Sequence, residues 1–263
     1  MGLRITSNLK DSGYHTSYVE IHPAGIEKLN AMGIQTSPAD EVLPACGIAI
    51  LAIPDVSFES VGQEIIPQLS SGTMVVTLDP AATLASKLLM REDLSYFVAH
   101  PSHPSIFNWE PTEEAYRDFF GGIAAKQTIV CALVQGTDED YQAGEALACK
   151  MYEPVSRAHR ITVEQMGILE PGLVETLSST CLTVIRQGLD EAIKMGVPEK
   201  AATDFLLGHI TIQLAVLFDQ IPGAVFSDAA NKAIDNAMGL IFKEDWKKVL
   251  SAESVKQQIE AIT

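Results

Sequence analysis

Several things are scarce in this chain, and each scarcity closes off a class of function. Cations are few: 18 Lys and Arg stand against 34 Asp and Glu, a formal net charge of −16 at pH 7. So acidic a surface lacks the basic face that phosphate backbones require, and no nucleic-acid partner is expected. A small anionic ligand stays open, because local cations or helix amino ends outweigh distant charge. There are only four cysteines, Cys46, Cys131, Cys149 and Cys181, none in C-x-x-C spacing and each in an apolar setting. They read as buried thiols of a reducing, cytoplasmic compartment. No apolar run approaches the ~20 residues of a membrane span, so no membrane partner is expected. The start carries no basic segment followed by an apolar one, as a secretory signal would.

What is present begins with alternation. Between residues 16 and 135, short β-branched runs (GIAILAIP, TMVVTLDP, SYFVAHP, TIVCALVQG) alternate with helical patterns such as AGIEKLNAMG and FESVGQEIIPQL. Continuous apolar strands between helices imply a sheet covered on both faces. The expected fold is an α/β Rossmann-like, doubly wound parallel sheet over residues 1–160, followed by an all-α domain over 161–263. In such folds a dinucleotide fingerprint runs strand, G-x-G-x-x-G, helix, strand, and an acid about 20 residues on. Here only its second half is visible. Gly2 opens a helix through Leu9, a strand is expected over Thr16–Val19, and Glu20 follows Gly2 by eighteen positions. The expectation is that a first strand and its glycine turn precede Met1.

Several residues then fall on the carboxyl edge of the sheet, where ligands bind in open parallel sheets. Glu20 suits the ribose hydroxyls and repels a 2′-phosphate, which selects NAD over NADP. Ile53, Pro54 and Asp55, with Asp79 and Pro80, are expected to form loops against that cofactor. HPSHP places His100 and His103 between prolines that stiffen their loop. A neutral imidazole beside a nicotinamide can take a hydroxyl proton while hydride leaves the carbon. His100 is therefore the candidate base and His103 a candidate substrate ligand, with Asn108, Trp109 and Glu110 walling the pocket or covering it. A zinc pair is the competing reading of H-x-x-H, but a proline-broken loop lacks the helical geometry that joins two imidazoles.

From about Thr162 the pattern is helical throughout, starting with a helix of roughly 30 residues whose apolar positions recur at helical spacing. A homodimer through this helical domain is expected. Inside that helix stands ILEPGLVET. Pro and Gly in a helix interior cost about 3 and 1 kcal/mol, and such breaks persist where a site uses them. Glu170 at the break is a candidate base or divalent-metal ligand, with Glu175 beyond it. His209 reads as a core histidine or a substrate contact, and Lys232 as a carboxylate anchor.

The stretches AIPD, AHPSHPSIFNWEP and EQMGILEPGLVETLSSTCLTVIRQGLDEA, in this order, resemble the 6-phosphogluconate dehydrogenase-like superfamily, and within it the branch of the D-apionate oxidoisomerases. The likeness covers almost the whole chain. The glycine-rich substrate loop and the G-x-x-x-K-x-x-x-N catalytic helix of the β-hydroxyacid dehydrogenases have no counterpart. The resemblance implies NAD-dependent oxidation of a branched sugar acid at its 2-hydroxyl, coupled to migration of a hydroxymethyl group. It also implies a metal-assisted second half like that of ketol-acid reductoisomerase, in which Glu170 would serve. Plain hydroxyacid oxidation without rearrangement, and a non-catalytic dimerisation protein, remain the alternatives at this point.

Overall fold

The computed structural model describes residues 2–10 and 12–262, except for the side chains of Asp55 and Ile262. The chain divides into two compact units, one running to Leu169 and resumed from Lys256, the other spanning Glu170–Val255.

The first unit begins with α1 (Gly2–Lys10), α2 (Pro23–Ala31) and α3 (Ala39–Val42), and then enters the sheet. Its strands are β1 (Ile48–Leu51), β2 (Met74–Thr77), β3 (Ser95–Pro101), β4 (Gln127–Gln135) and β5 (Val155–Arg160), side by side in that order. Between them lie α4 (Phe58–Ile65), α5 (Ala81–Leu84), α6 (Glu113–Arg117) and α7 (Asp138–Met151). The pleat sorts side chains between two cores. Met74, Val76, Phe97 and Ala99 face one way, toward Ile5 and Leu9 of α1 and Leu147 and Met151 of α7. Val75 and Tyr96 face the other, with Phe58 of α4 and Leu69. Gly144 lets α7 lie directly on β3, since a Cβ there would fall 2.6 Å from the Phe97 ring. Cys131 sits within the first core, where burial pushes its thiol up to about 12, and an un-ionised thiol is unreactive.

Two sequence expectations need correction. The sheet is mixed, because β3 and β4 run antiparallel, from Pro101 opposite Ile129 to Tyr96 opposite Gln135. Parallel neighbours need a crossover past the sheet, but residues 102–126 lead from the carboxyl end of β3 into β4 at that same edge, so β4 returns in the opposite sense. The expected strand over Thr16–Val19 does not form: the segment has no strand partner among the described residues, and the Tyr18 carbonyl instead accepts the Ser37 N–H.

The expected long helix is present, running 32 residues from Val163 to Lys194. It starts as α8 (Val163–Gly167), opened by a reciprocal cap between Thr162 and Gln165. It widens into a π-helical segment, Ile168–Ser178, and resumes as α9 (Ser179–Lys194). Pro171 has no N–H to give, and in an α-helix its ring would strike the carbonyl of Gly167. The looser π turn removes that conflict, and such segments recur at functional sites. By length and composition this helix alone, among the described residues, could cross a membrane, though acids and a proline interrupt it.

The second unit is entirely helical, with α10 (Glu199–Leu217) and α11 (Asp228–Ile241) following α9. Neither α10 nor α11 contains a buried residue. The last helix, α12 (Ala252–Ile262), spans the return to the first unit.

Candidate active site

The carboxyl ends of β2 and β3 lie next to each other, and His100 sits where they meet. Its Nδ1 lies 2.8 Å from the carbonyl oxygen of Leu78, just past β2. A carbonyl only accepts, so Nδ1 carries the proton and the lone pair of the neutral ring is on Nε2. The Asp79 carboxylate stands 3.9 Å from the same Nδ1, while its other oxygen accepts the Ala81 N–H at 2.7 Å and is thereby fixed.

His103 repeats the arrangement from the loop. Its Nδ1 meets the Phe120 carbonyl at 2.8 Å, so its lone pair also falls on Nε2. The two imidazoles are 6.4 Å apart, edge to face. His103 has a φ of +61°, a left-handed conformation that costs a side-chain-bearing residue of order 1 kcal/mol or more and clusters at functional sites.

Behind His103 the loop is tied down by Asp118. One of its carboxylate oxygens accepts the N–H groups of Ile123 and Ala124 at 3.0 Å and of Ala125 at 3.3 Å. The other accepts the Arg4 guanidinium at 2.7 Å, and the carboxylate side chain is 2% exposed. Burial alone would raise the Asp118 carboxyl, but these hydrogen bonds outweigh it and hold the group below the usual carboxylate range. Asn108 and Glu110 have a structural role. They fasten the loop, Asn108 donating to the Lys126 carbonyl and Glu110 accepting the Lys126 N–H, while Trp109 is 85% exposed.

The residues expected to face a cofactor lie on the same unit. Gly2 packs beside Ala52, with a Cβ there 3.7 Å from the Ala52 side chain. This brings the amino end of α1 alongside Ile53 and Pro54; the Asp55 side chain lies outside the described residues. Glu20 accepts the His22 N–H at 2.8 Å, which places its carboxylate over the first turn of α2. Any Cβ at Gly25 would collide with that carboxylate. Pro80 follows Asp79 and immediately precedes α5, and the Asp79 carboxylate caps the turn through the Ala81 N–H.

Glu170, His209 and Lys232 belong to the second unit. Glu170 is half-buried at the head of the π segment, before the buried Pro171 and Gly172. His209 is not a core residue: it is exposed, its Nδ1 2.8 Å from the Phe205 carbonyl one turn back and its ring stacked on Phe205. Lys232 is an exposed residue of α11. Among the described residues no group of three or more His, Cys, Asp or Glu is placed to hold a metal ion.

The sequence reading missed Arg4, Asp118 and the carbonyls of Leu78 and Phe120. The signal available was DFFGG, whose paired glycines adopt φ of +71° and +80° and turn successive N–H groups toward one acid.

Comparison with known proteins places this geometry. Residues 108–263 match the family described as phosphogluconate dehydrogenase (decarboxylating), C-terminal. A D-apionate oxidoisomerase of Cupriavidus necator is 48% identical over 264 residues, covering 100% of this chain and 95% of its own. A solved structure of a semialdehyde dehydrogenase NAD-binding protein from Cupriavidus necator, in complex with calcium and NAD, has a TM-score of 0.97 at 48% identity over 100% of this chain and 95% of that one. An NADH-preferring ketol-acid reductoisomerase from an uncultured archean shares the fold, with a TM-score of 0.71 at 18% identity over 99% of this chain and 80% of its own. The expectation of a strand and glycine turn missing ahead of Met1 is not borne out by these matches.

The Asp118 clamp carries a pH dependence. A carboxyl held low in the folded state stabilises it above the unfolded value of about 4, and that contribution disappears as pH falls through the folded value. Wild type should therefore exceed Asp118→Asn in unfolding free energy at pH 6, with the gap narrowing toward pH 3, as followed by urea denaturation. A gap independent of pH would show that the carboxylate charge is not what stabilises the loop.

Proposed function

Since the chain belongs to the D-apionate oxidoisomerase family and is an enzyme, we propose that it oxidises the 2-hydroxyl of a branched sugar acid with NAD and couples this to migration of a hydroxymethyl group from C3 to C2. The observation that carries this reading is the pair of imidazoles on the carboxyl edge, each with its proton committed at Nδ1 to a backbone carbonyl.

The residues present fit a dinucleotide. The amino end of α1 offers unpaired N–H groups and a positive dipole end to a pyrophosphate, and the fixed Glu20 carboxylate suits ribose hydroxyls. When bound, NAD would supply the hydride acceptor for C2. His100 Nε2 takes the hydroxyl proton in the same step, and the Asp79 carboxylate stabilises the resulting imidazolium, leaving a 2-oxo acid. General-base help of this kind is worth about 10²–10⁴ in rate. His103 Nε2 is suited to accept a hydrogen bond from a second hydroxyl of the substrate, which orients the carbon skeleton before the C3-to-C2 shift. We place the enzyme in the cytoplasm and expect it to act as a homodimer through the helical second unit, on whose α10 and α11 Phe205 is 69% and Leu240 87% exposed. No nucleic-acid or membrane partner is needed for this chemistry.

Four measurements test the proposal. His100→Asn should lower kcat for D-apionate at least about a hundredfold and abolish the acidic limb of the pH–rate profile, while NAD affinity hardly changes. NMR of the wild-type product should find the rearranged 3-oxo acid. A mutant that keeps its rate and its limb would move the base elsewhere, with Glu170 next in line, and an unrearranged 2-oxo product would reduce the reaction to plain dehydrogenation. Glu20→Ala should shift kcat/KM toward NADP by removing a ribose acceptor and a repulsive charge, and an unchanged ratio would mean that the ribose is held by other groups. Sedimentation should give twice the 28.4 kDa chain mass, whereas a monomer would leave the apolar faces of α10 and α11 without the assigned partner.

A further inference from the structure

We infer that Arg4 and Asp118 form a positioning pair that acts through the Phe120 carbonyl to fix the ring of His103, and with it substrate affinity. The role of His103 as a substrate ligand rests on the function proposed above; the positioning does not.

Four contacts converge on one short segment. Arg4, from α1, reaches 114 positions along the chain to place Nη1 at 2.7 Å from Asp118. The same nitrogen donates to the Gly121 carbonyl, so one guanidinium grips both sides of Phe119–Phe120. Its plane also lies over the Phe120 ring, 5.4 Å from the centroid. On the far side, Asp118 accepts the three successive N–H groups of residues 123–125 and closes the turn. Held within this turn, the Phe120 carbonyl points at His103 Nδ1, and the two rings meet edge to face at 5.8 Å.

The physical need for such a clamp follows from His103 itself. Its left-handed backbone is intrinsically unfavourable and its side chain is part of an exposed stretch. Nothing local makes Nδ1–H the preferred tautomer. A carbonyl at 2.8 Å does, because the opposite tautomer would set a lone pair against the oxygen. A loop carbonyl imposes that preference only if the loop has one conformation, and the Arg4–Asp118 bridge removes the alternatives. Phe120 itself is 62% exposed, so burial of its side chain does not anchor the turn. The polar clamp does. Arg suits this position because the two N–H groups of one Nη1 serve a carboxylate and a carbonyl while the guanidinium carbon lies over an aromatic face.

The experiment is ¹⁵N NMR of the histidine ring nitrogens, with the His103 signals assigned by their loss in His103→Ala, combined with steady-state kinetics on D-apionate. In wild type His103 should appear as the Nδ1–H tautomer. In Arg4→Met it should become a mixture of tautomers. Arg4→Lys, which keeps the charge and offers a milder change should Arg4→Met fold poorly, should lie between the two. Retention of the pure Nδ1–H signature in both Arg4 variants would overturn the positioning role. Kinetically, His103→Ala should raise KM about tenfold or more, Arg4→Met should raise it several-fold, and the double variant should be no worse than His103→Ala alone. Effects that multiply in the double variant would likewise overturn the inference, since Arg4 would then act by another route. If His103→Ala leaves KM unmoved while the Arg4 variants still scramble the tautomer, the clamp stands and the substrate role of His103 falls.

Discussion

The hydrogen bond from His100 Nδ1 to the Leu78 carbonyl joins the ends of two neighbouring strands, and the geometry of the candidate site depends on it. Leu78 follows β2 and His100 nearly ends β3, so their separation is set by the parallel ladder from Met74 opposite Ser95 to Thr77 opposite Val98. The ladder therefore fixes which ring nitrogen holds the proton. Asp79, one residue beyond Leu78, is carried to the same ring by the same strand. The His100 ring, the carbonyl that sets its tautomer and the Asp79 carboxylate thus come from one pair of strand ends, with no flexible linker among them.

The antiparallel return of β4 extends this economy. Because residues 102–126 never cross the sheet, the whole segment is available at the edge where His100 sits. It supplies His103 and the Phe120 carbonyl, and its own polar groups are consumed internally, by Asp118 at one point and by the Lys126 backbone at another. A long loop with few buried apolar side chains is held by charge-assisted hydrogen bonds to backbone donors, which are about twice as strong as neutral ones. Its exposed aromatics contribute little to that order.

How much of this was legible in the sequence follows from the range of each interaction. The strands β1 to β4 and the long helix announce themselves by period and composition, and the position of His100 at a strand end needs only the apolar run SYFVA before it. Pro171 signalled a helix defect, and the defect is there as a π segment. Strand sense was not legible, because nothing in the composition of TIVCALVQ distinguishes a parallel from an antiparallel neighbour. The segment around Thr16–Val19 has strand-like residues, but a strand exists only with a partner, and propensity is silent about partners. Backbone carbonyls are invisible in sequence altogether, so the groups that set both histidine tautomers could not be named. The Arg4–Asp118 bridge joins residues 114 positions apart, beyond any local pattern. His209 misled because apolar neighbours at helical spacing suggest a core, while the helix in question buries none of its residues fully.

The pleat of β3 has a further consequence, for which changes of chain length the protein can survive. Side chains alternate faces along the strand, so Phe97 and Ala99 belong to one core while Tyr96 lies in the other. Adding or deleting a single residue between Ser95 and Ala99 would invert every position after it, turning His100 away from Leu78 and driving apolar side chains onto the wrong faces. Only a bulge could absorb such a change, and the β3–β4 pairing already carries an irregularity between Tyr96 and Phe97. Between Pro104 and Thr112, by contrast, extra residues would lengthen a surface excursion whose closure cost grows only logarithmically. Variation in length among chains of this architecture is thus physically channelled into that excursion, and β3 is held to a fixed count.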